Sequence, residues 1–241
     1  MSFYLSSSCQ DCESLVIHRH LPRYCWVFLT LTLYLLGLAT PYGLDIDRIV
    51  QAVQHLGGRK AEVVAWQAML ADARTKADPL ARLRLVNEHF NRRILFADDM
   101  TVWGQADYWA TPAETMAMGR GDCEDFAIAK YFSLLNVDIP VGQLRLVYVK
   151  ARIGGSGSSV LQAHMVLAYY PAPDVEPLVL DNLITEIRPA SRRPDLTPVF
   201  SFNSQGIWVG AGAGDQPTAG AVGRLSRWQD LLQRARREGF D

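Results

Sequence analysis

The chain is short of cysteine, of charge of one sign and of long apolar runs. Only 4 of its 241 residues are cysteines, and Cys9, Cys12 and Cys25 all fall near the N-terminus. Beyond them a single thiol, Cys123, remains, so a disulfide framework is excluded for the bulk of the chain. Lysine and arginine number 24 against 25 acidic residues, a net charge of −1, which offers no bulk attraction to nucleic acid. There is no internal repeat, no P-loop and no dinucleotide fingerprint.

The one uncharged apolar run is Tyr24 to Ala39, preceded by His18-Arg19-His20-Leu21-Pro22-Arg23. A basic flank, a run of this length and small residues at Gly37 and Ala39 read as a secretory signal peptide cleaved after Ala39. An uncleaved inner-membrane anchor is the alternative, because the run is only slightly short of a span. The Cys9–Cys12 CxxC falls in this leader, where redox or metal chemistry is not expected. The domain reading is residues 1–39 as extension and signal, 40–210 as the folded domain, and 211–241 as a Gly/Ala-rich linker and basic amphipathic helix. That helix, Arg224 to Arg237, carries five arginines against Asp230 and reads as a solvated face or peripheral contact.

Residues 44–93 read as three helices: Leu44 to Leu56, Lys60 to Lys76 with Val63, Val64, Trp66 and Leu70 as core, and a third from Asp78-Pro79 to Arg93. Residues 94–118 are aromatic and loop-rich, with Trp103 and Trp109 as candidate walls of a cleft and a short helix starting at Thr111-Pro112. Three later segments read as strands joined by hairpins: Leu144 to Lys150, Leu161 to Tyr170 and Leu178 to Leu183, followed by a closing hairpin over Val199 to Val209. An antiparallel sheet and an α+β fold follow.

The chemistry gathers at Gly121-Asp122-Cys123-Glu124-Asp125-Phe126. Asp122 is a candidate N-cap, and Phe126, Ile128, Ala129, Phe132 and Leu135 give the following helix one apolar face. Cys123 then lies in the first turn, where the helix dipole lowers a thiol pKa and a free backbone N–H can face an oxyanion. Asp122, Glu124 and Asp125 oppose that effect, and a bound hard cation, calcium before zinc, would resolve the conflict. The same acids also read simply as an N-cap and first-turn charges. Downstream, His164 and Asp181 lie on neighbouring strands of a hairpin with its turn near residue 174, at roughly matching heights. Cysteine, histidine and aspartate in that order suggest a nucleophile, its base and an orienting acid.

The blocks Trp109-Ala110-Thr111-Pro112, Gly121 to Tyr131, Ala163-His164-Met165-Val166-Leu167, Leu180-Asp181-Asn182-Leu183 and Pro189 to Leu196 resemble the bacterial transglutaminase-like cysteine proteinases, over roughly residues 45–210. The nearest likeness is the periplasmic type that releases biofilm adhesins. The resemblance implies a papain-like, transglutaminase-like fold, with a helical N-terminal part and the nucleophile helix packed on an antiparallel sheet. It implies Cys123, His164 and Asp181 as catalytic residues, and calcium with Asp122, Glu124 and Asp125 as its acids. It also implies a large surface adhesin as substrate, cut near its N-terminus at a paired-alanine site, and an inner-membrane cyclic-di-GMP receptor as sequestering partner. A transglutaminase or amidase with the same triad, and a non-catalytic calcium-binding module, are the rival readings.

Overall fold

The structure, a computed structural model, describes residues 43–155, 157–212 and 225–240. The expected signal run, the Cys9–Cys12 pair and most of the Gly/Ala stretch lie outside the described residues.

Three helices come first: α1 (Ile46–His55), α2 (Lys60–Arg74) and α3 (Pro79–Arg93). Asp45 caps α1, its Oδ1 accepting the Arg48 N–H at 3.1 Å; Asp78 caps α3, and Pro79 takes the first helical position, where no N–H is needed. Val63, Trp66 and Leu70 of α2 are buried as expected, but Val64 is 50% exposed. It sits one position from Val63, about 100° round the helix, which turns it off the core face.

The stretch read as loop-rich holds more structure than its composition suggests. It contains β1 (Leu95–Phe96), α4 (Asp99–Trp103) and α5 (Pro112–Met118). Asp98 caps α4, and a Thr111/Glu114 capping box starts α5. Gly119, with φ of 60°, ends α5 and turns the chain into β2 (Arg120–Gly121), which pairs in parallel with β1.

Next comes α6 (Cys123–Leu135), the centre of the molecule. One buried face was expected; instead every residue from Asp125 to Leu135 is buried. Ser133, one of the residues that make the helix look amphipathic, finds its partners inside. Ser133 Oγ accepts from Trp66 Nε1 at 2.8 Å and donates to the Ala129 carbonyl at 2.8 Å. A helix enclosed on all sides has no solvent face to encode.

The sheet contains β3 (Leu144–Arg152), β4 (Leu161–Tyr169), β5 (Leu178–Leu180), β6 (Arg188–Pro189), β7 (Leu196–Phe202) and β8 (Ile207–Val209). Its order is β6-β5-β4-β3-β7-β8 and every pairing is antiparallel. Pro198 lies at a register shift between β3 and β7, the kind of position a strand proline tolerates. Leu144, Leu146, Met165, Leu167, Leu180 and Phe202 join the core around α6, while Val147, Val149, Val166, Ala168 and Val179 form a second cluster.

The sequence makes the last helix, α7 (Ser226–Glu238), a solvated or peripheral element. It is part of the core. Trp228, Leu231 and Ala235 are fully buried, and the Trp228 ring meets Tyr131, Phe132 and Phe202. One of its arginines is also turned inward: Arg234 donates to the Trp109 carbonyl at 2.7 Å and to Glu114 Oε2. Periodicity showed an apolar stripe on α7 but could not say what covers it.

Candidate active site and acidic cluster

Gly121 stands two residues before Cys123, at a position where nothing larger fits without displacing Asp125. A Cβ there would lie 2.5 Å from Asp125 Oδ2 and 2.7 Å from Asp125 Cβ. Asp122 takes the N-cap position of α6, and its backbone N–H donates to Asp125 Oδ2 at 3.3 Å. The Ala110 N–H donates to the other oxygen, Asp125 Oδ1, at 2.8 Å. Asp125 therefore ties the start of α6 to the Trp109–Ala110 loop. Gly121→Ala is expected to displace Asp125 and cost about 1–3 kcal/mol, the usual range for overpacking; thermal unfolding of the purified variant checks this.

Cys123 occupies the first position of α6 and is the free cysteine among the described residues. Its thiol donates to Glu124 Oε2 at 2.9 Å. The helix N-terminus was expected to lower the thiol pKa. Burial and the neighbouring Glu124 and Asp122 carboxylates prevail and push it strongly upward.

His164 and Cys123 line one cleft of about 810 Å³, together with Trp109, Tyr148, Met165 and Phe200. Trp109 thus walls the cleft as expected and stacks on Phe202 at 5.5 Å, whereas Trp103 packs on Tyr108 away from it. His164 Nε2 lies 2.8 Å from Asp181 Oδ1, which leaves Nδ1 as the second ring nitrogen. Leu167 pairs with Leu180, so β5 ends one residue before Asp181, and continued register would set Asp181 opposite Val166. His164 and Asp181 are diagonal rather than level, two residues out of step, which a long side chain bridges. Burial raises the Asp181 carboxyl, but the His164 hydrogen bond and charge, the Leu183 N–H and Arg193 outweigh it and hold the pKa at about 2. His89 lies elsewhere, with Arg93 and Glu62, and burial pushes it down to about 4.

The acids gather more widely than the sequence suggested. Carboxylate oxygens of Asp99, Asp122 and Asp125 lie within 4.8 Å of one another, as do those of Asp99, Asp107 and Glu124. Asp99 is the first residue of α4 and Asp107 lies in the loop after it; the sequence reading misses both, and the Asp98-Asp99 pair at the start of α4 is the one signal that points to the first. Burial, then Glu124 and Asp125, push Asp122 up to about 9. Burial also lifts Asp99 to about 6, and Asp125 well above the carboxylate range. Asp99 Oδ1 and Asp122 Oδ1 are buried with no hydrogen-bond partner. Crowded, desolvated carboxylates with orphaned oxygens are the donor set a hard divalent cation takes.

A family model of bacterial transglutaminase-like cysteine proteinases (BTLCP) matches residues 52–208. This chain belongs to that family. The transglutaminase-like proteinase is also similar to solved structures of LapG from Legionella pneumophila. One aligns at 35% identity over 80% of this chain and 98% of that one, with a TM-score of 0.65. An EGTA-treated form gives 35%, 80%, 98% and 0.66, and a calcium-bound form 35%, 79%, 99% and 0.64. No curated protein matches the chain. The transglutaminase-like proteinase is thus a cysteine protease, and its substrate is a protein. Among the described residues no helix is long and apolar enough to cross a membrane.

Proposed function

We propose that this chain is a calcium-dependent, periplasmic cysteine endopeptidase that cuts the N-terminal region of a large surface adhesin, releasing it and dispersing biofilm. The observation that carries the reading is the buried His164–Asp181 hydrogen bond at a cleft that also holds the Cys123 sulfur. Asp181 keeps the proton on Nε2, so His164 Nδ1 is the base that takes the thiol proton. The thiolate attacks the peptide carbonyl, and the Cys123 N–H, at the first turn of α6, faces the oxyanion. His164 returns the proton to the leaving amine, then takes one from water as the thioester is hydrolysed.

Asp122, Glu124 and Asp125 would hold calcium, with Asp99 and Asp107 completing the oxygen set. Bound calcium supplies positive charge that offsets the carboxylates beside the thiol. Glu124 then no longer competes with His164 for the thiol proton. The relative solved both calcium-bound and after EGTA treatment supports this assignment. The leader pattern over residues 1–39 supports export, with residues 40–210 as the protease domain and 211–241 as the linker and the C-terminal helix that packs into the core of that domain. Sequestration by an inner-membrane cyclic-di-GMP receptor completes the reading, carried by the sequence resemblance.

The test is cleavage of a purified adhesin N-terminal fragment by residues 40–241, with calcium or with a chelator, beside Cys123→Ala. Cleavage only with calcium and only with Cys123 is the expected result. Isopeptide formation with an added amine in place of hydrolysis, or an undiminished effect of the Cys123→Ala chain, would overturn it.

A further inference from the structure

Asp181 has no exposed side-chain surface, and both of its oxygens are engaged. Oδ1 accepts from His164 Nε2 at 2.8 Å and from the Leu183 N–H at 3.1 Å. Oδ2 accepts from Arg193 Nη2 at 2.7 Å. The Arg193 side chain is 1% exposed and is itself anchored before it reaches Asp181. Its Nε donates to Asp195 Oδ1 at 3.0 Å, Nη2 donates also to Asp195 Oδ2 at 2.7 Å, and its backbone N–H donates to the Ala190 carbonyl at 2.9 Å.

The terminal torsion of an aspartate is broad and roughly two-fold, so contacts to one oxygen leave the carboxylate plane loosely defined. A directional donor on the second oxygen fixes that plane, and a planar guanidinium delivers such a contact with little freedom of its own. We propose that Arg193 is a positioning residue for the His164–Asp181 pair, holding the Asp181 carboxylate so that Oδ1 faces the imidazole. This rests on the protease reading above. The planar fork explains the choice of residue: it spans Asp181 and Asp195 at once, while an ammonium is a point charge on a flexible stem. Asp195, at the outer end, is the anchor rather than part of the pair, and its side chain is one-third exposed.

A merely structural role would lower the amount of folded enzyme and leave the turnover of each folded molecule alone. A positioning role lowers kcat and spares KM. The full chain, calcium-loaded, is compared as wild type, Arg193→Met, Arg193→Lys and Asp195→Asn. One readout is kcat and KM on the adhesin fragment, per folded molecule. The other is the rate of Cys123 alkylation by iodoacetamide at neutral pH, which needs no protein substrate. Arg193→Met is expected to lower kcat and the alkylation rate about 10- to 100-fold, the range for residues that orient a reacting group from behind, with KM within about twofold. Arg193→Lys is expected to recover part of the loss, and Asp195→Asn to lose less than Arg193→Met. Unchanged kcat and alkylation per folded Arg193→Met molecule would overturn the proposal. If that variant does not fold, unchanged kcat and alkylation in folded Asp195→Asn would overturn it instead. Failure of the protease reading shows separately: a wild-type alkylation rate that His164→Ala leaves unaltered means no cysteine–histidine pair exists for Arg193 to serve.

Discussion

Asp181→Asn is expected to lower kcat about 10³- to 10⁴-fold with KM little changed, as loss of the orienting acid does in other triads. The hydrogen bonds around Asp181 explain so large an effect from a near-isosteric change. Arg193 can only donate to Oδ2, so the asparagine oxygen must turn to Arg193 and its NH2 must face His164 and the Leu183 N–H. The amide then donates to Nε2, which must become an acceptor, and the imidazole proton moves to Nδ1. In the proposed mechanism that is the nitrogen that takes the thiol proton. The opposite amide orientation sets an NH2 against a buried guanidinium, with both side chains closed off from the surface. In the favoured orientation a base with the right shape therefore carries its proton on the wrong side. Steady-state kinetics on the adhesin fragment, and the Cys123 alkylation rate, check it; a loss of less than tenfold would contradict the role given to Asp181.

Stripping calcium is expected to leave a protein whose stability falls as the pH rises from about 5 to 8, the reverse of a salt-bridged carboxylate. Asp99 and Asp122 have folded-state pKa values of about 6 and about 9, both raised first by burial and then by neighbouring acids. A carboxyl with a raised folded pKa holds its proton more tightly when folded. Its favourable contribution is complete below the unfolded value near 3.9, and is lost as the pH climbs through the folded value. Asp125, raised in the same direction, adds to the trend. Calcium bound to the ionised acids removes the penalty, so the pH dependence should flatten. At a concentration about 100 times its dissociation constant it contributes about 2.7 kcal/mol, a rise in Tm of about 5–10 °C for a domain of this size. Differential scanning calorimetry from pH 5 to 8, with calcium and with EGTA, makes the comparison. A calcium-free Tm that rises across this interval would show that the carboxylates are not mutually frustrated.

The sequence alone determined what depends on neighbours along the chain. The caps at Asp78 and Thr111, and the start of α6 at Asp122, are local hydrogen-bond patterns that follow from residue type and spacing. The strands carrying His164 and leading to Asp181 are apolar runs flanked by turn residues, which is enough for them to be read, and the hairpin centre, between residues 173 and 174, follows from the turn residues. Asp122, Glu124 and Asp125 share one helical turn, so their mutual repulsion beside Cys123 was visible as well.

Tertiary structure decided whatever depends on contacts between distant segments. Asp99 joins the acidic cluster because α4 packs beside β2, and Arg193 meets Asp181 because the chain after β6 folds back under β5. The upward shift of the Cys123 thiol depends on burial, which no helix-dipole argument contains. The enclosure of α6 and the docking of α7 have the same origin. Ser133 and Lys130 look like a solvent face until Trp66 and the sheet close over them, and the apolar stripe of α7 names no partner until Tyr131, Phe132 and Phe202 are placed. Periodicity reports which side of an element is apolar; only packing supplies the surface it meets.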